Sequence, residues 1–258
     1  MLEEKMSLFF YMKQDTFLHR LDPRAKIISL ILLFAIAAST QFIYLHLILA
    51  AALLALFFAS RSMEPLRRMA PLFLVIAFMT FALWIFFYEG KVKLFSAGPV
   101  VIYKGCFYFA FLSAARFINM LLSGLLYLSI ASLEDLSDSL VLFGVPYRVA
   151  FTLSLSFRLV SVFASTGSSI VEAQKVRGND PEKGGIIARI RSYAPLMIPL
   201  IINGVKKAEI LTLALESKGF SPDNRINLEG KYSMNAYDIM VICVMFALAT
   251  AAIAARFA

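Results

Sequence analysis

PYRVAFTLSLSFRLVSVFASTGSSIVEAQKVRG at residues 146–178 and IIARIRSYAPLMIPLIINGVKKAEILTLALESKGF at residues 186–220 decide how the rest of the chain is read. Each is a long helical run, and they end alike, in Val176-Arg177-Gly178 and Ser217-Lys218-Gly219. At 1.5 Å per residue the first run covers roughly 48 Å, more than the ~30 Å hydrocarbon core of a bilayer. Arg158, Glu172 and Lys175 in the first run make it too polar to lie in lipid throughout. The same holds for Arg189, Arg191, Lys206, Lys207, Glu209 and Glu216 in the second.

Small residues recur along both runs. Ser161, Ser165, Ser169 and Ala173 form a ladder at four-residue spacing, a pattern that lets another helix cross at close range or pack in an ordinary bundle. In the second run Leu200, Gly204, Ala208, Leu211 and Leu215 make an apolar stripe with a gap at Gly204 and Ala208. Pro195 and Pro199 are expected to kink its first third. Between the runs, Asn179-Asp180-Pro181 with Gly184-Gly185 reads as a turn.

Everything outside this region reads as membrane anchor. Of 258 residues 60% are hydrophobic and only 16% charged, too little polar material to cover a soluble domain. The charge of +8 would suggest a nucleic-acid binder, but its distribution speaks for topology instead. With the N-terminus in the cytoplasm, twenty Lys and Arg fall in inner segments and four in outer loops and the C-terminal tip. The first 26 residues lack the layout of a cleaved secretory signal and are expected to be retained. Cys106 and Cys243 lie in apolar stretches without redox or ligand spacing.

In chain order, residues 6–18 read as an interfacial lead-in. Asp22-Pro23-Arg24-Ala25-Lys26 starts a helix with an N-cap and a first-position proline. Residues 27–59 carry no charge and are too long for one crossing, so a helical hairpin is expected at Ser39-Thr40-Gln41. His46, in its second arm, reads as a packed histidine bonded to a neighbour. A basic inner loop at 61–68, a span at 69–88 ending in Trp84 and Tyr88, and an outer loop at 89–104 follow.

The fourth span, 105–131, carries Arg116 near mid-depth, where a charge costs at least ~2.5 to 3.5 kcal/mol. That charge must face protein or water: either a partner's helix, or Asn119 and backbone carbonyls within the chain. Ser132-Leu133-Glu134-Asp135-Leu136 begins a short surface helix that stops at Gly144. A last span lies at 239–255. The expected architecture is all-α and polytopic, with about five crossings. Residues 1–131 form an N-terminal membrane domain, 132–234 a cytoplasmic module of long crossed helices, and 235–258 a C-terminal transmembrane helix.

Enzyme signatures fail on inspection. Gly90-Lys91 and Gly230-Lys231 are not followed by Ser or Thr, and there is no paired-His helix and no nucleophile elbow. No catalytic residue, metal site or cofactor is assigned to this chain. Residues 132–235 carry twelve bases against ten acids, nearly balanced, as suits a protein partner rather than nucleic acid or anionic lipid. Two rods longer than a bilayer is thick, tipped with bases, are suited to carrying force from a soluble partner to the membrane.

A base in the last turn followed by Gly ends many helices, because the cation meets the negative end of the dipole and Gly accepts the left-handed conformation. Its recurrence at the ends of two consecutive long helices points further. With Asp22-Pro23-Arg24-Ala25-Lys26, Ser132-Leu133-Glu134-Asp135-Leu136, Gly144-Val145-Pro146, Phe157-Arg158, residues 195–199 and Ala208-Glu209, these motifs resemble the transmembrane coupling components of energy-coupling-factor transporters, the ATP-driven importers of vitamins and transition metals.

The resemblance implies a fold and a set of partners. Two coupling helices cross in the cytoplasm of a prokaryote, and their tips dock on two ATP-binding-cassette subunits that hold ATP and magnesium. The membrane portion holds a small substrate-binding subunit, which topples as the ATPases cycle. By position the docking residues are Val176, Arg177 and Gly178, then Ser217, Lys218 and Gly219. Lys218 replaces the family's usual arginine and Val176 its commoner alanine; an ammonium cannot form the two parallel bonds of a guanidinium. The rival reading is a stand-alone membrane carrier or enzyme with its site around Arg116, Asn119 and His46.

Overall fold

Asp22 opens the first helix by local chemistry. Its carboxylate accepts the Arg24 N–H at 2.9 Å, and Pro23 occupies a position that needs no donor. The computed structural model describes residues 16–88, 93–97, 100–103, 105–178, 186–220 and 234–257. The turn expected at 179–185 and most of the interfacial lead-in lie outside them.

Among the described residues eight helices follow in order: α1 (Pro23–Ser39), α2 (Ile43–Ala59), α3 (Met63–Phe87), α4 (Cys106–Ile130), α5 (Leu133–Leu142), α6 (Tyr147–Val176), α7 (Ile186–Ser217) and α8 (Ala236–Phe257). The hairpin break falls where polarity indicates, with Thr40 and Phe42 extended between α1 and α2. Two expectations need correction. The segment 61–68 is not a loop throughout, since α3 begins at Met63, with Glu64 and Pro65 in a first turn that tolerates both. Within the outer loop, β1 (Lys93–Ala97) pairs antiparallel with β2 (Val100–Tyr103).

The chain divides into two units, Met1–Ser139 with Glu229–Ala258, and Leu140–Leu228. In the first, α4 is the central helix, packed on α1, α2 and α3, while α8 packs on α1. Its core joins Leu33, Leu53, Phe57, Phe73, Leu122, Leu125, Leu126 and Ile130. Trp84 and Tyr88 close the α3–α4 end against Phe109, at 4.8 and 5.0 Å between ring centroids. Large apolar side chains cover the outside, with Leu74, Phe87 and Phe58 at least 70% exposed, a surface suited to a hydrocarbon solvent.

By length and composition Met63–Phe87, Cys106–Ile130, Tyr147–Val176 and Ala236–Ala254 could each cross a membrane. The 17-residue helices α1 and α2 are shorter, roughly 25 Å each. The protein is a multi-pass, all-α membrane protein.

Candidate functional site

In the second unit α6 and α7 pack against each other as an antiparallel pair. Phe151, near the start of α6, stacks on Phe220, just past the end of α7, at 4.5 Å, and Tyr147 tilts against both rings. Further along, the Phe163 ring lies 3.3 Å from where a Cβ on Gly204 would sit. Glycine is the residue that lets an aromatic approach a helix backbone this closely.

The crossing therefore uses a different face of α6 from the serine ladder. Phe163, Thr166, Gly167 and Ile170 are half-buried, whereas Ser161, Ser165 and Ser169 are exposed. Ser165 and Ser169 turn their hydroxyls back to carbonyls of their own helix. A ring seated in a glycine notch buries more apolar area than serine against serine, which favours the Phe163 face. On α7, Leu200, Gly204, Leu211 and Leu215 are half-buried and Ala208 is exposed. The helix runs unbroken through Pro195 and Pro199.

Both tips end as their glycines require. Gly178 has φ +85° and Gly219 φ +65°, left-handed conformations that cost an L-residue with a side chain ~1 to 2 kcal/mol. Gly178 N–H donates to Lys175 O at 3.0 Å. Gly219 N–H donates to Glu216 O and Phe220 N–H to Leu215 O, both at 2.9 Å, closing a complete two-bond helix stop. Val176 is 90% exposed. Arg177, Gly178, Ser217, Lys218 and Gly219 are exposed as well.

The distances along the two helices match. Fourteen residues separate Phe163 from Arg177, and fourteen separate Gly204 from Lys218, so each base stands about 21 Å from the crossing. Because the helices run antiparallel, the bases lie on opposite sides of it. No motif marks Phe163 as the contact residue; its i, i+3, i+4, i+7 relation to Thr166, Gly167 and Ile170 was the available signal.

In the first unit Arg116 donates from Nη2 to Thr40 O at 3.1 Å. His46 lies 3.3 Å from the same carbonyl through Nε2, which must therefore be the protonated nitrogen. Its Nδ1 then accepts from Asn119 Nδ2 at 3.2 Å, and Asn119 Nδ2 also reaches His46 O at 3.0 Å. His46 and Asn119 are each 1% exposed. The cluster ties the tip of the α1–α2 hairpin and the first turn of α2 to mid-α4, and it leaves Asn119 Oδ1 buried without a hydrogen-bond partner.

Residues 14–228 match the cobalt transport protein family. The chain is 32% identical to the energy-coupling factor transporter transmembrane protein EcfT of Streptococcus equi subsp. equi, over 84% of each chain. It is 29% identical to the protein of the same name from Thermosediminibacter oceani, over 96% of each. A third relative, from Streptococcus thermophilus, is 29% identical over 95% of this chain and 96% of its own.

Proposed function

The chain belongs to the cobalt transport protein family, as a transmembrane component of energy-coupling factor transporters, and we propose that it transmits the movement of two ATPase subunits to a small substrate-binding subunit in the membrane. The observation that carries this reading is the matched pair of arms: antiparallel helices in contact at Phe163 and Gly204, each ending about 21 Å away in an exposed base and a left-handed glycine. Equal arms deliver equal displacements when two similar partners act on the two tips.

Arg177 and Lys218 are the docking cations, with Val176 and Ser217 beside them. A guanidinium reads a carboxylate with two parallel bonds, and an ammonium acts as a point charge, so the Arg177 arm is the more geometrically demanding contact. ATP and magnesium belong to the partners, and this chain is a non-catalytic subunit. The bias of bases supports a cytoplasmic N-terminus and cytoplasmic residues 132–234, and the reading assigns the chain to the cell membrane of a prokaryote. The cargo, a vitamin or a transition metal, is recognised by the substrate-binding subunit.

Purification in mild detergent tests the assignment. Two ATP-binding subunits and a small hydrophobic membrane protein are expected to copurify, and the chain alone should neither hydrolyse nucleotide nor transport. Turnover by the isolated chain would overturn it.

A further inference from the structure

Two sequence motifs that the lever leaves unexplained, residues 22–26 and 132–136, meet in one contact. Lys26 Nζ, with its side chain 2% exposed, lies 2.9 Å from Asp135 Oδ2. The same nitrogen donates to His19 O at 2.9 Å and to Ile130 O at 3.2 Å. An ammonium has three N–H donors, and here each has one acceptor, on the segment before α1, the last residue of α4 and the first turn of α5. Burial of a charged lysine is tolerated only with partners of this kind.

Asp135 is itself fixed from both sides. Its N–H donates to Ser132 Oγ at 3.0 Å while its Oδ2 accepts the Ser132 N–H at 3.2 Å, a reciprocal cap on α5. Asp22, one turn before Lys26, donates its N–H to Asp238 Oδ1 at 3.0 Å, and Asp238 Oδ2 takes the Asn235 N–H at 2.8 Å. The N-terminal turns of α1, α5 and α8 are thus held together through side chains and caps, with Lys26 joining α1 to the α4–α5 corner. By chain connection, α5 is the element that leaves the first unit and enters the second, since the division falls between Ser139 and Leu140.

Resting on the coupling role proposed above, we infer that Lys26 is a positioning residue for energy transmission: its ammonium clamps the first turn of α5 to α1, so displacement of the α5–α6–α7 segment reaches the membrane helices through this corner. A hinge here would let the levers move while α1 stayed at rest. A buried three-way ammonium resists such hinging because any opening strands a charge.

The test is hydrogen exchange in the complex with the ATPase subunits, with and without ATP plus orthovanadate, followed at residues 16–30 and along α6 and α7. The wild type is expected to respond at both places. In Lys26→Met/Asp135→Leu, an apolar pair that leaves no charge stranded, the response of α6 and α7 should persist while that of residues 16–30 falls ~tenfold, within the range of ordinary coupling energies. A merely structural role would lower stability without abolishing the nucleotide response. If the paired variant does not assemble, Lys26→Met alone reads the same way, because Asp135 keeps its Ser132 bond and its side chain stays 20% exposed.

An undiminished response at residues 16–30 in the variant would overturn the inference, as would a wild type in which only α6 and α7 respond. A wild type silent in α6 and α7 would instead count against the coupling role.

Discussion

Phe163 and Gly204 are in contact at the crossing of α6 and α7, with the ring carbons 3.3 and 3.4 Å from the position of an added Cβ. That spacing leaves room for hydrogen and for little else. It makes the lever geometry depend on the absence of one side chain.

Gly204→Leu therefore forces the two helices apart or drives the Phe163 ring out of its notch. Overpacking of this kind costs ~1 to 3 kcal/mol. Limited proteolysis should cleave residues 140–228 faster in the variant, with the membrane helices unaffected. Phe163→Ala/Gly204→Leu, which trades the ring for the added side chain, should recover most of the loss.

Asn119→Leu removes the donor to His46 O and Nδ1 while leaving both buried. The stranded acceptors should cost ~1 to 3 kcal/mol, read as a lower midpoint of thermal unfolding in detergent. Docking of ATPases on residues 177 and 218 should be unchanged at temperatures where the variant is folded.

The α6 helix is long and apolar enough to cross a bilayer, yet the lever reading keeps it in water along one face. Single cysteines at Ser161, Ser165 and Ser169, all exposed, should react with a membrane-impermeant maleimide in inside-out vesicles and not in right-side-out cells. Protection of all three in both preparations would mean that α6 spans lipid.

How much of this was legible beforehand follows from what each signal measures. The break at Ser39-Thr40-Gln41 and the glycine stops at 178 and 219 are local chemistry, and they stand in the sequence and structure alike. Hydropathy placed the third span at 69–88 and missed the start of α3 at Met63, because it reports where lipid begins rather than where the backbone starts to bond to itself. The serine ladder marked a face of α6 that could admit a neighbour, but spacing cannot say which of two permissive faces is used, and Phe163 won. The Lys26–Asp135 pair spans 109 positions, a separation that no periodicity reaches.

The central claim concerns the two tips, and copurification of the ATPase subunits with the Arg177→Ala/Lys218→Ala variant tests it most directly. An exposed rim charge would contribute ~1 kcal/mol or less, whereas a cation buried against a partner's acid strands that acid when truncated, at ~3 to 5 kcal/mol. The lever account predicts that the double variant inserts in the membrane normally and loses its ATPases, with Arg177→Ala alone showing most of the loss. Wild-type recovery of both ATPases with the double variant would contradict it.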